Sequence, residues 1–354
     1  MTRALHLTRD FPPRVNGGIS VAVGGAVRAC RAAGMQIAVI SFDGWRPKGK
    51  PAAGLPSTDD VCRVTGPGDL PEAQRFAERF APDVVHVHAG MLWDAVTLPR
   101  VPRVLSVHVA QETLRRMRGL ESPTKSEAAQ AAAIAAADRV VVPSRAVLRS
   151  LAPPPGLPLG GGEGSARLVP WGVDPAERAD GGQDLLYVGR LADIKGTAEL
   201  FDAMRRVDAT LHVAGGLPDS ARAEKKWRER APSNVSFQGW LDRDALEDRY
   251  RSAAMLIAPS WHETFGLAVA EAMAHGVPVI AADAGALPER VTHERSGLLV
   301  PPRDVDALVA AIERLRNDDA LRDRLAEGAR DAAQAWTWEA CAAGLSRVYA
   351  ELER

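Results

Sequence analysis

Residues 261–283 read WHETFGLAVAEAMAHGVPVIAAD and predict an apolar helix that lies between two strand-like runs. From Gly266 to Ala274 nearly every side chain is small or apolar, so this helix is expected to be buried on most of its sides. Glu271 is the only charged residue in it, and a second carboxylate, Glu263, lies just before it. A charge in a buried helix needs a partner, and the rest of the sequence indicates which partner that is.

Short runs of β-branched residues alternate with Ala-rich helical stretches along the whole chain, which is typical of parallel sheets covered by helices on both faces. The predicted strands are 4–8, 36–42, 83–88, 104–109 and 139–142 in the first half, and 184–188, 210–214, 235–238, 255–258 and 277–282 in the second half. Two successive series of similar size predict an α/β protein with two Rossmann-like domains that face each other.

The boundary between the two series is marked by LAPPPGLPLGGGEGS at residues 151–165, which predicts an exposed loop because it holds neither a helix nor a central strand. We predict an N-terminal domain over 1–171 and a C-terminal domain over 172–335. Residues 336–354 predict one amphipathic helix that packs back onto the first domain. A further helix is expected over 122–137, with Ser122 as N-cap and Pro123 at the first helical position.

The composition limits the class of protein. The 354 residues suit two domains, and the net charge of −1 provides no field that would attract nucleic acid or an anionic membrane. Cys30, Cys62 and Cys341 form no Cys-x-x-Cys pattern, which argues against a disulfide or zinc framework. The first residues lack a long apolar segment, and no apolar run reaches membrane-spanning length. A cytoplasmic protein is therefore expected.

Open parallel sheets bind ligands beyond the carboxyl ends of their strands. After the predicted strand 184–188, Gly189 and Arg190 are followed by Lys195 and the start of a helix. Two cations on such a loop suit a phosphate or diphosphate, because the charges, the amides and the helix dipole act in the same direction. The alternative is two solvated basic residues on a surface loop, and the loop by itself leaves both interpretations open.

The loop before the opening helix adds a second anion-binding element. Glu263 precedes Phe265, Gly266 and Leu267, whose amides start the helix and are expected to be free for an anion. Glu271 lies roughly 7 Å further along the helix, about the distance from a diphosphate to the ribose of the same nucleotide. A carboxylate that accepts from both ribose hydroxyls would explain its lone charge. A buried glutamate paired with an arginine explains it as well.

Further motifs lie before and after this helix in a fixed order. Glu263-TFGLAVA-Glu271 is followed by AMAHGVPVIAADAGALPE and SGLLVPPRD, and is preceded in order by LVPWGVD, LLYVGRLADIKG, LHVAGG and VSFQGWL. The first half carries Gly17-Gly18, DVVHVHAG and LSVHVAQE, which contains His108. On these motifs the chain resembles glycosyltransferase family 4, the retaining GT-B enzymes, and this resemblance favours the ribose interpretation of Glu271. The resemblance implies two facing Rossmann-like domains with an interdomain cleft.

The resemblance also implies donor-binding roles in the second half. Arg190 and Lys195, in the loop that begins at Gly189, would neutralise the diphosphate, and Glu271 would hold the ribose. The sugar would be oriented by Glu263 together with the backbone of Phe265, Gly266 and Leu267. The base would lie near Gly239 and Leu241.

In the first half, the resemblance implies that Gly17 and Gly18 let a loop approach the diphosphate closely, where a Cβ would collide. His108 would lie on the sugar or acceptor side. The predicted catalytic residues are thus Glu263, His108, Arg190 and Lys195. The family's usual Pro-Asn-Gly-Val is here Pro170-Trp171-Gly172-Val173, so the contacts of this segment are expected to differ.

The activity implied is transfer of a hexosyl or N-acetylhexosaminyl group, with retention, from a nucleotide-diphosphate sugar, preferably a UDP-sugar, to a small soluble polyol, aminocyclitol or sugar. No cofactor or metal is expected, and the leaving phosphate would take the acceptor proton in a front-face reaction. The alternatives are a lipid or polysaccharide acceptor, or a protein that binds nucleotide sugars without transferring them.

Three other patterns in the sequence allow a functional interpretation. Asp242-Arg243-Asp244 mimics a metal-binding Asp-x-Asp, yet it precedes a helix and is better explained by an N-cap. His86 and His88 share one strand face as a candidate zinc pair, but no third ligand is evident in the sequence. A basic group could bind a phosphorylated or membrane acceptor, although a solvated face is the commoner case; its members are Arg115, Arg116, Arg118 and Lys125.

Overall fold

Apolar strands pair in parallel to form two separate sheets, one in each of two compact units. The computed structural model describes residues 1–43, 56–151, 166–216 and 221–352. Unit 1 comprises Met1–Gly172 with Trp338–Arg354, and unit 2 comprises Val173–Thr337. The chain therefore returns at its C-terminus to the unit in which it begins. The boundaries proposed from the sequence lie within two residues of these positions.

In unit 1, seven strands of the described residues form one sheet in the order β3-β2-β1-β4-β5-β6-β7, with parallel pairing. The strands are β1 (Arg3–Thr8), β2 (Gln36–Ser41), β3 (Val61–Arg63), β4 (Val84–Val87), β5 (Arg103–Ser106), β6 (Arg139–Val142) and β7 (Ala166–Leu168). One face of this sheet is apolar, with Leu5, Val85 and Leu105 in the core. The opposite face carries His6 directly beside His86 in register.

In unit 2, the described strands form a six-stranded parallel sheet in the order β10-β9-β8-β11-β12-β13. They are β8 (Leu185–Val188), β9 (Leu211–Ala214), β10 (Val235–Gly239), β11 (Met255–Ala258), β12 (Val279–Ala282) and β13 (Leu298–Val300). The strand order reverses between β8 and β11. In such sheets the reversal opens a crevice at the carboxyl ends of the two strands, and this is where ligands bind.

Helices cover both sheets, and none of the described helices combines the length and apolar character needed to cross a membrane. Unit 1 contains α1 (Gly18–Ala32), α2 (Leu70–Phe80), α3 (Gln111–Met117), α4 (Lys125–Ala136) and α5 (Arg145–Leu151). Unit 2 contains α6 (Thr197–Met204), α7 (Ala221–Arg230), α8 (Arg243–Arg251), α9 (Leu267–Ala274), α10 (Val305–Asn317) and α11 (Asp319–Ala333). The last helix, α12 (Trp338–Ala350), belongs to unit 1.

Helix α12 packs on α1, and a glycine makes the close approach possible. Gly25 of α1 is buried, and an ideal Cβ built on it would lie 2.2 Å from Cζ2 of Trp338. Tyr349, near the other end of α12, is buried and reaches the histidine face of the sheet. The helix expected at 336–354 spans Trp338–Ala350 and is thus shorter than predicted. It packs on unit 1 through Trp338 and Tyr349.

We expect Gly25→Ala to lower the free energy of unfolding by about 1–3 kcal/mol, because the added methyl group overpacks the contact with Trp338. Urea denaturation monitored by circular dichroism measures the change. Gly68→Ala is the matched control, since a Cβ there meets no described atom within 4 Å. Equal stability of Gly25→Ala and the wild type would contradict this packing of α12 on α1.

Some local predictions are wrong in detail. Thr124, not Ser122, caps α4, because the Thr124 side chain accepts from the amide of Glu127. Strands β3, β7 and β13 were not predicted, since three-residue strands carry too little alternation to stand out. The Pro- and Gly-rich stretch lies, after Leu151, outside the described residues.

Candidate functional site

The start of α9 is an anion-attracting helix end. Gly266 is the N-cap and Leu267 the first helical residue. The first amides of a helix lack carbonyl partners within it, and the peptide dipoles place positive charge at the same end. Phe265 is buried, with the guanidinium carbon of Arg290 4.3 Å from its ring centroid, which anchors the turn. The sequence prediction of a helix starting at this point is confirmed.

Lys195 and Glu263, 68 residues apart, lie together beside this helix end. Lys195 Nζ donates to Glu263 Oε1, and Ser260 Oγ donates to the same oxygen at 3.1 Å. The amide of Trp261 donates to the carbonyl of Ile194 at 2.9 Å, which ties the two loops to each other. Both charged side chains remain about one-fifth exposed, so a ligand can reach them.

Two glycines allow the loops to approach this closely. Gly196 has φ +68°, and a Cβ on it would lie 2.1 Å from the carbonyl oxygen of Pro259. Gly285 has φ +59°, and its Cβ would lie 2.3 Å from the carbonyl oxygen of Glu263. Both the left-handed backbone and the lack of space exclude a side chain. The geometry of the Lys195–Glu263 pair therefore depends on these two positions.

Arg190 lies in the same loop as Lys195 but does not take part in the Lys195–Glu263 ion pair. Its side chain is exposed, and within the described part of the chain its guanidinium has no hydrogen-bond or ion-pair partner. The hydroxyl of Tyr187 donates to the Arg190 carbonyl at 2.7 Å across Gly189, which holds the backbone at the end of β8. A small cavity near this loop is lined by Tyr187, Lys195, Glu263 and the start of α9.

Glu271 is buried, with 9% of its surface exposed. Tyr250 Oη donates to Glu271 Oε2 at 2.9 Å, and Arg243 Nη1 lies 3.5 Å from Oε1. Burial raises the pKa of the Glu271 carboxyl, and the positive charge of Arg243 and the Tyr250 hydroxyl oppose this shift. Arg243 is therefore the arginine expected if Glu271 is a buried glutamate with a structural role. The binding of the ribose by Glu271 stays a prediction.

The loop predicted to hold the base follows β10. Gly239 ends the strand, Trp240 is 49% exposed, and Leu241 is partly buried. Asp242 Oδ1 accepts from the amide of Ala245 at 2.9 Å, so the interpretation of Asp242 as an N-cap is confirmed. The exposed Trp240 ring was not singled out in the sequence.

In unit 1, the predicted residues lie at the carboxyl ends of strands. Gly17 is the N-cap of α1, which begins at Gly18, and His108 follows β5. His108 is buried, and burial lowers its pKa to about 4, so the ring is neutral at pH 7. Nδ1 of His108 has no hydrogen-bond partner among the described residues. The ring lines a cavity together with Trp171 and Pro143.

The candidate zinc pair proves to be part of a larger cluster. Ring nitrogens of His6, His86 and His88 lie within 4.8 Å of one another, so a third histidine is present that the sequence did not reveal. However, His6 Nδ1 bonds to His88 Nε2 at 2.9 Å, and the rings of His86 and His88 stack with centroids 4.5 Å apart. His6 and His88 thus bond to each other, and both nitrogens of His86 bond to hydroxyl groups, which does not suit ligands around a common ion.

Part of the basic group is neutralised. Arg115 Nε lies 2.8 Å from Glu127, and Arg116 Nη2 lies 2.5 Å from Glu112. These pairs on α3 and α4 favour the solvated-face interpretation of the basic group over a phosphate site.

Sequence reasoning missed the tyrosines. The chain contains three, and each hydroxyl bonds to a part of a candidate site: Tyr187 to the Arg190 backbone, Tyr250 to Glu271, and Tyr349 to His86. All three are buried. A buried tyrosine requires a hydrogen-bond partner for its hydroxyl. Because the chain has only three tyrosines, each could have been named from the sequence as a candidate partner of a site residue.

Comparisons with known proteins place the sequence among glycosyltransferases. The sequence matches the family model for Glycosyltransferase Family 4 over residues 16–177 and the model for Glycosyl transferases group 1 over residues 174–332. Glycogen synthase of Mycobacterium tuberculosis is 27% identical, covering 99% of this chain and 95% of that protein. D-inositol 3-phosphate glycosyltransferase of Streptomyces bingchenggensis is 35% identical over a shorter match, which covers 48% of this chain and 40% of that protein.

A solved structure supports the fold. Anabaena HepE in complex with UDP-glucose has a TM-score of 0.77 and 17% identity, covering 99% of this chain and 100% of that chain. This likeness shows that the two parallel-sheet units form the GT-B fold. The two family models, which together span residues 16–332, identify the chain as a member of glycosyltransferase family 4.

Proposed function

We propose that this glycosyltransferase moves a hexosyl or N-acetylhexosaminyl group, with retention, from a nucleotide-diphosphate sugar to a hydroxyl of a small soluble acceptor. The observation that carries the proposal is the grouping of Lys195, Glu263 and the start of α9, with Arg190 exposed on the same loop as Lys195. Two cations and a helix N-terminus match a diphosphate, and the carboxylate matches sugar hydroxyls.

The nucleotide extends from this point along unit 2. Glu271 receives the ribose hydroxyls, and the exposed face of Trp240 stacks on the base beside Gly239 and Leu241. A UDP-sugar is the favoured donor, since the structurally similar HepE was solved with UDP-glucose.

In the reaction, the bond between the anomeric carbon and the leaving phosphate oxygen breaks while the acceptor oxygen bonds to the same face of that carbon. The acceptor proton passes to the departing phosphate. Arg190, Lys195 and the α9 amides stabilise the charge that develops on the diphosphate, so we propose that no metal is required. Glu263, held by Lys195 and Ser260, acts as a positioning group for the sugar.

The acceptor is assigned to unit 1, where His108 lies beyond the carboxyl end of β5, while Gly17 and Gly18 at the start of α1 stay assigned to the diphosphate. The named activity of the inositol 3-phosphate relative favours a small polyol acceptor. A second candidate is a polysaccharide acceptor, favoured by the match to glycogen synthase over 99% of the chain.

A two-step assay tests the proposal. UDP, GDP, ADP and dTDP are compared by thermal shift, and mass spectrometry then screens inositol phosphates, free sugars and glycogen with the matching donor sugar. We expect stabilisation by UDP and a product of retained anomeric configuration, measured by proton NMR, with activity unchanged in excess EDTA.

Three results would contradict parts of the proposal. Activity that is lost in EDTA and restored by Mg²⁺ would implicate Asp242 and Asp244 in metal binding. An inverted product would exclude front-face transfer. Nucleotide binding without transfer or hydrolysis of any donor would indicate a binding protein.

A further inference from the structure

The proposed reaction assigns no role to the side chain of Trp261, a half-buried residue two positions before Glu263. Its indole Nε1–H donates to Glu199 Oε1 at 3.1 Å. Its amide donates to the carbonyl of Ile194 at 2.9 Å. Lys195 lies between Ile194 and Glu199 in the sequence, so Trp261 is bonded to the chain on both sides of the lysine.

Lys195 belongs to a tight turn over residues 192–197 that is closed by its own hydrogen bonds. The buried hydroxyl of Thr197 donates to the carbonyl of Ala192 and accepts from the Ala192 amide, both at 3.0 Å. The amide of Lys195 also donates to the Ala192 carbonyl, at 2.9 Å. These bonds fix the shape of the turn. Its position relative to the loop that carries Glu263 depends on the contacts between the two loops.

The bond from the indole is important for Glu199, because this carboxylate has few donors. Glu199 lies in the first turn of α6, and its Oε2 is buried without a hydrogen-bond partner among the described residues. Withdrawing a carboxylate from water without donors is unfavourable. The bond from Trp261 therefore stabilises the position of α6, which begins two residues after Lys195.

Arg303 holds the ring of Trp261 from one face. Its guanidinium carbon lies 3.9 Å from the ring centroid, a distance at which the aromatic face attracts the cation. Arg303 lies in the loop between β13 and α10. The indole is thus held at its N–H edge by α6 and on one face by a third loop, which fixes the residue that contacts the turn of Lys195.

We propose that Trp261 is a positioning residue that holds the ammonium group of Lys195 against the diphosphate of the donor. It acts through its bonds to Ile194 and Glu199, which keep the turn of Lys195 beside Glu263 and the start of α9. The action of Lys195 on the diphosphate rests on the proposed function. The placement of the ammonium group by Trp261 does not depend on it.

A double-mutant cycle measures whether Trp261 acts through Lys195. Trp261→Phe removes the indole N–H and keeps an aromatic face for Arg303. We expect it to lower turnover by about 10- to 100-fold, because a small displacement of a reacting or stabilising group has effects of this order. In the Lys195→Ala background, the same change is expected to lower turnover by less than about threefold, since the group that it positions is already absent. Turnover is measured as release of UDP from UDP-glucose with D-inositol 3-phosphate present, which counts transfer to the acceptor and to water.

Two further variants separate positioning from a loss of stability. Glu199→Gln keeps an oxygen that accepts from the indole, and its turnover is expected to stay within about threefold of the wild type. Trp227→Phe is the matched control, because Trp227 is a buried tryptophan on α7 of the same unit and is likewise stacked on an arginine, Arg230, at 4.9 Å. The folded Trp227→Phe protein should turn over at the wild-type rate.

NMR tests the placement of Lys195 without any substrate. Lysine labelled with ¹³C and ¹⁵N is incorporated, and the chemical shift of each Nζ is measured through the protons on its Cε. In the wild type, Lys195 Nζ bonds to Glu263, so its signal is expected to lie apart from that of the exposed Lys226. Trp261→Phe should move the signal toward the position that it takes in Glu263→Gln, in which the ion pair is removed. Trp227→Phe should leave it unchanged.

Two results would overturn the proposal. The first is wild-type turnover of Trp261→Phe, or an equal loss of turnover in both backgrounds, which indicates a general structural effect. The second is an Nζ signal of Lys195 that Trp261→Phe leaves unchanged. If the wild type releases no UDP, or if Lys195→Ala keeps the wild-type turnover, the proposed function is contradicted instead. The Nζ signal then decides by itself whether Trp261 places the lysine.

Discussion

Lys195→Ala is expected to lower the rate of sugar transfer by about 10²- to 10³-fold, the usual effect of removing one donor that stabilises developing negative charge. The ammonium group lies at the start of α9 and bonds to Glu263. Its loss removes a cation from the diphosphate and also leaves the Glu263 carboxylate with Ser260 as its remaining partner. Turnover measured at saturating donor and acceptor gives the effect on kcat.

Lys226→Ala is the matched control for this variant, because Lys226 is an exposed lysine on α7 of the same unit. It should transfer sugar at the wild-type rate. Lys195→Ala is expected to remain folded, since its ion pair is partly exposed. A folded Lys195→Ala protein with wild-type turnover would remove Lys195 from the catalytic residues.

Glu271→Ala is expected to weaken nucleotide binding by about 10²-fold or more, because two hydrogen bonds from ribose hydroxyls to a charged group contribute about 1.5–3 kcal/mol each. Isothermal titration calorimetry with the nucleotide measures the change in Kd. The variant also removes the partner of the Tyr250 hydroxyl and one of the carboxylates near Arg243, so thermal denaturation must first show that it is folded at the assay temperature.

Tyr250→Phe separates the two roles of Glu271. It removes the hydrogen bond to Oε2 within the protein but keeps the carboxylate for the ribose. We expect its nucleotide affinity to lie within a few-fold of the wild type. If a folded Glu271→Ala protein binds the nucleotide as tightly as the wild type does, the carboxylate serves only Tyr250 and Arg243, and the ribose assignment is wrong.

The donor loops show how far sequence reasoning reaches. Arg190, Lys195 and Glu263 were selected because they lie in loops that follow a strand and precede a helix, and local patterns suffice to predict both. Glu271 was selected as the only charge in an apolar helix, and the family resemblance gave these residues their roles. The contact between Lys195 and Glu263 was not predictable, because it requires β8 and β11 to be neighbours although β9 and β10 lie between them in the chain. No local pattern reports strand order.

The sequence by itself determined the parallel α/β class, the two-unit organisation and most of the strands, since apolar periodicity and helix starts are properties of adjacent residues. Only the tertiary structure decided what the buried polar groups bind. In the sequence, His86 and His88 form a candidate metal pair without a third ligand. In the structure, strand pairing places His6 beside His86, and the hydroxyl of Tyr349 on α12, 263 residues away, bonds to His86. A buried hydrogen bond is satisfied by proximity in space, and proximity across such a separation arises only when the whole unit folds.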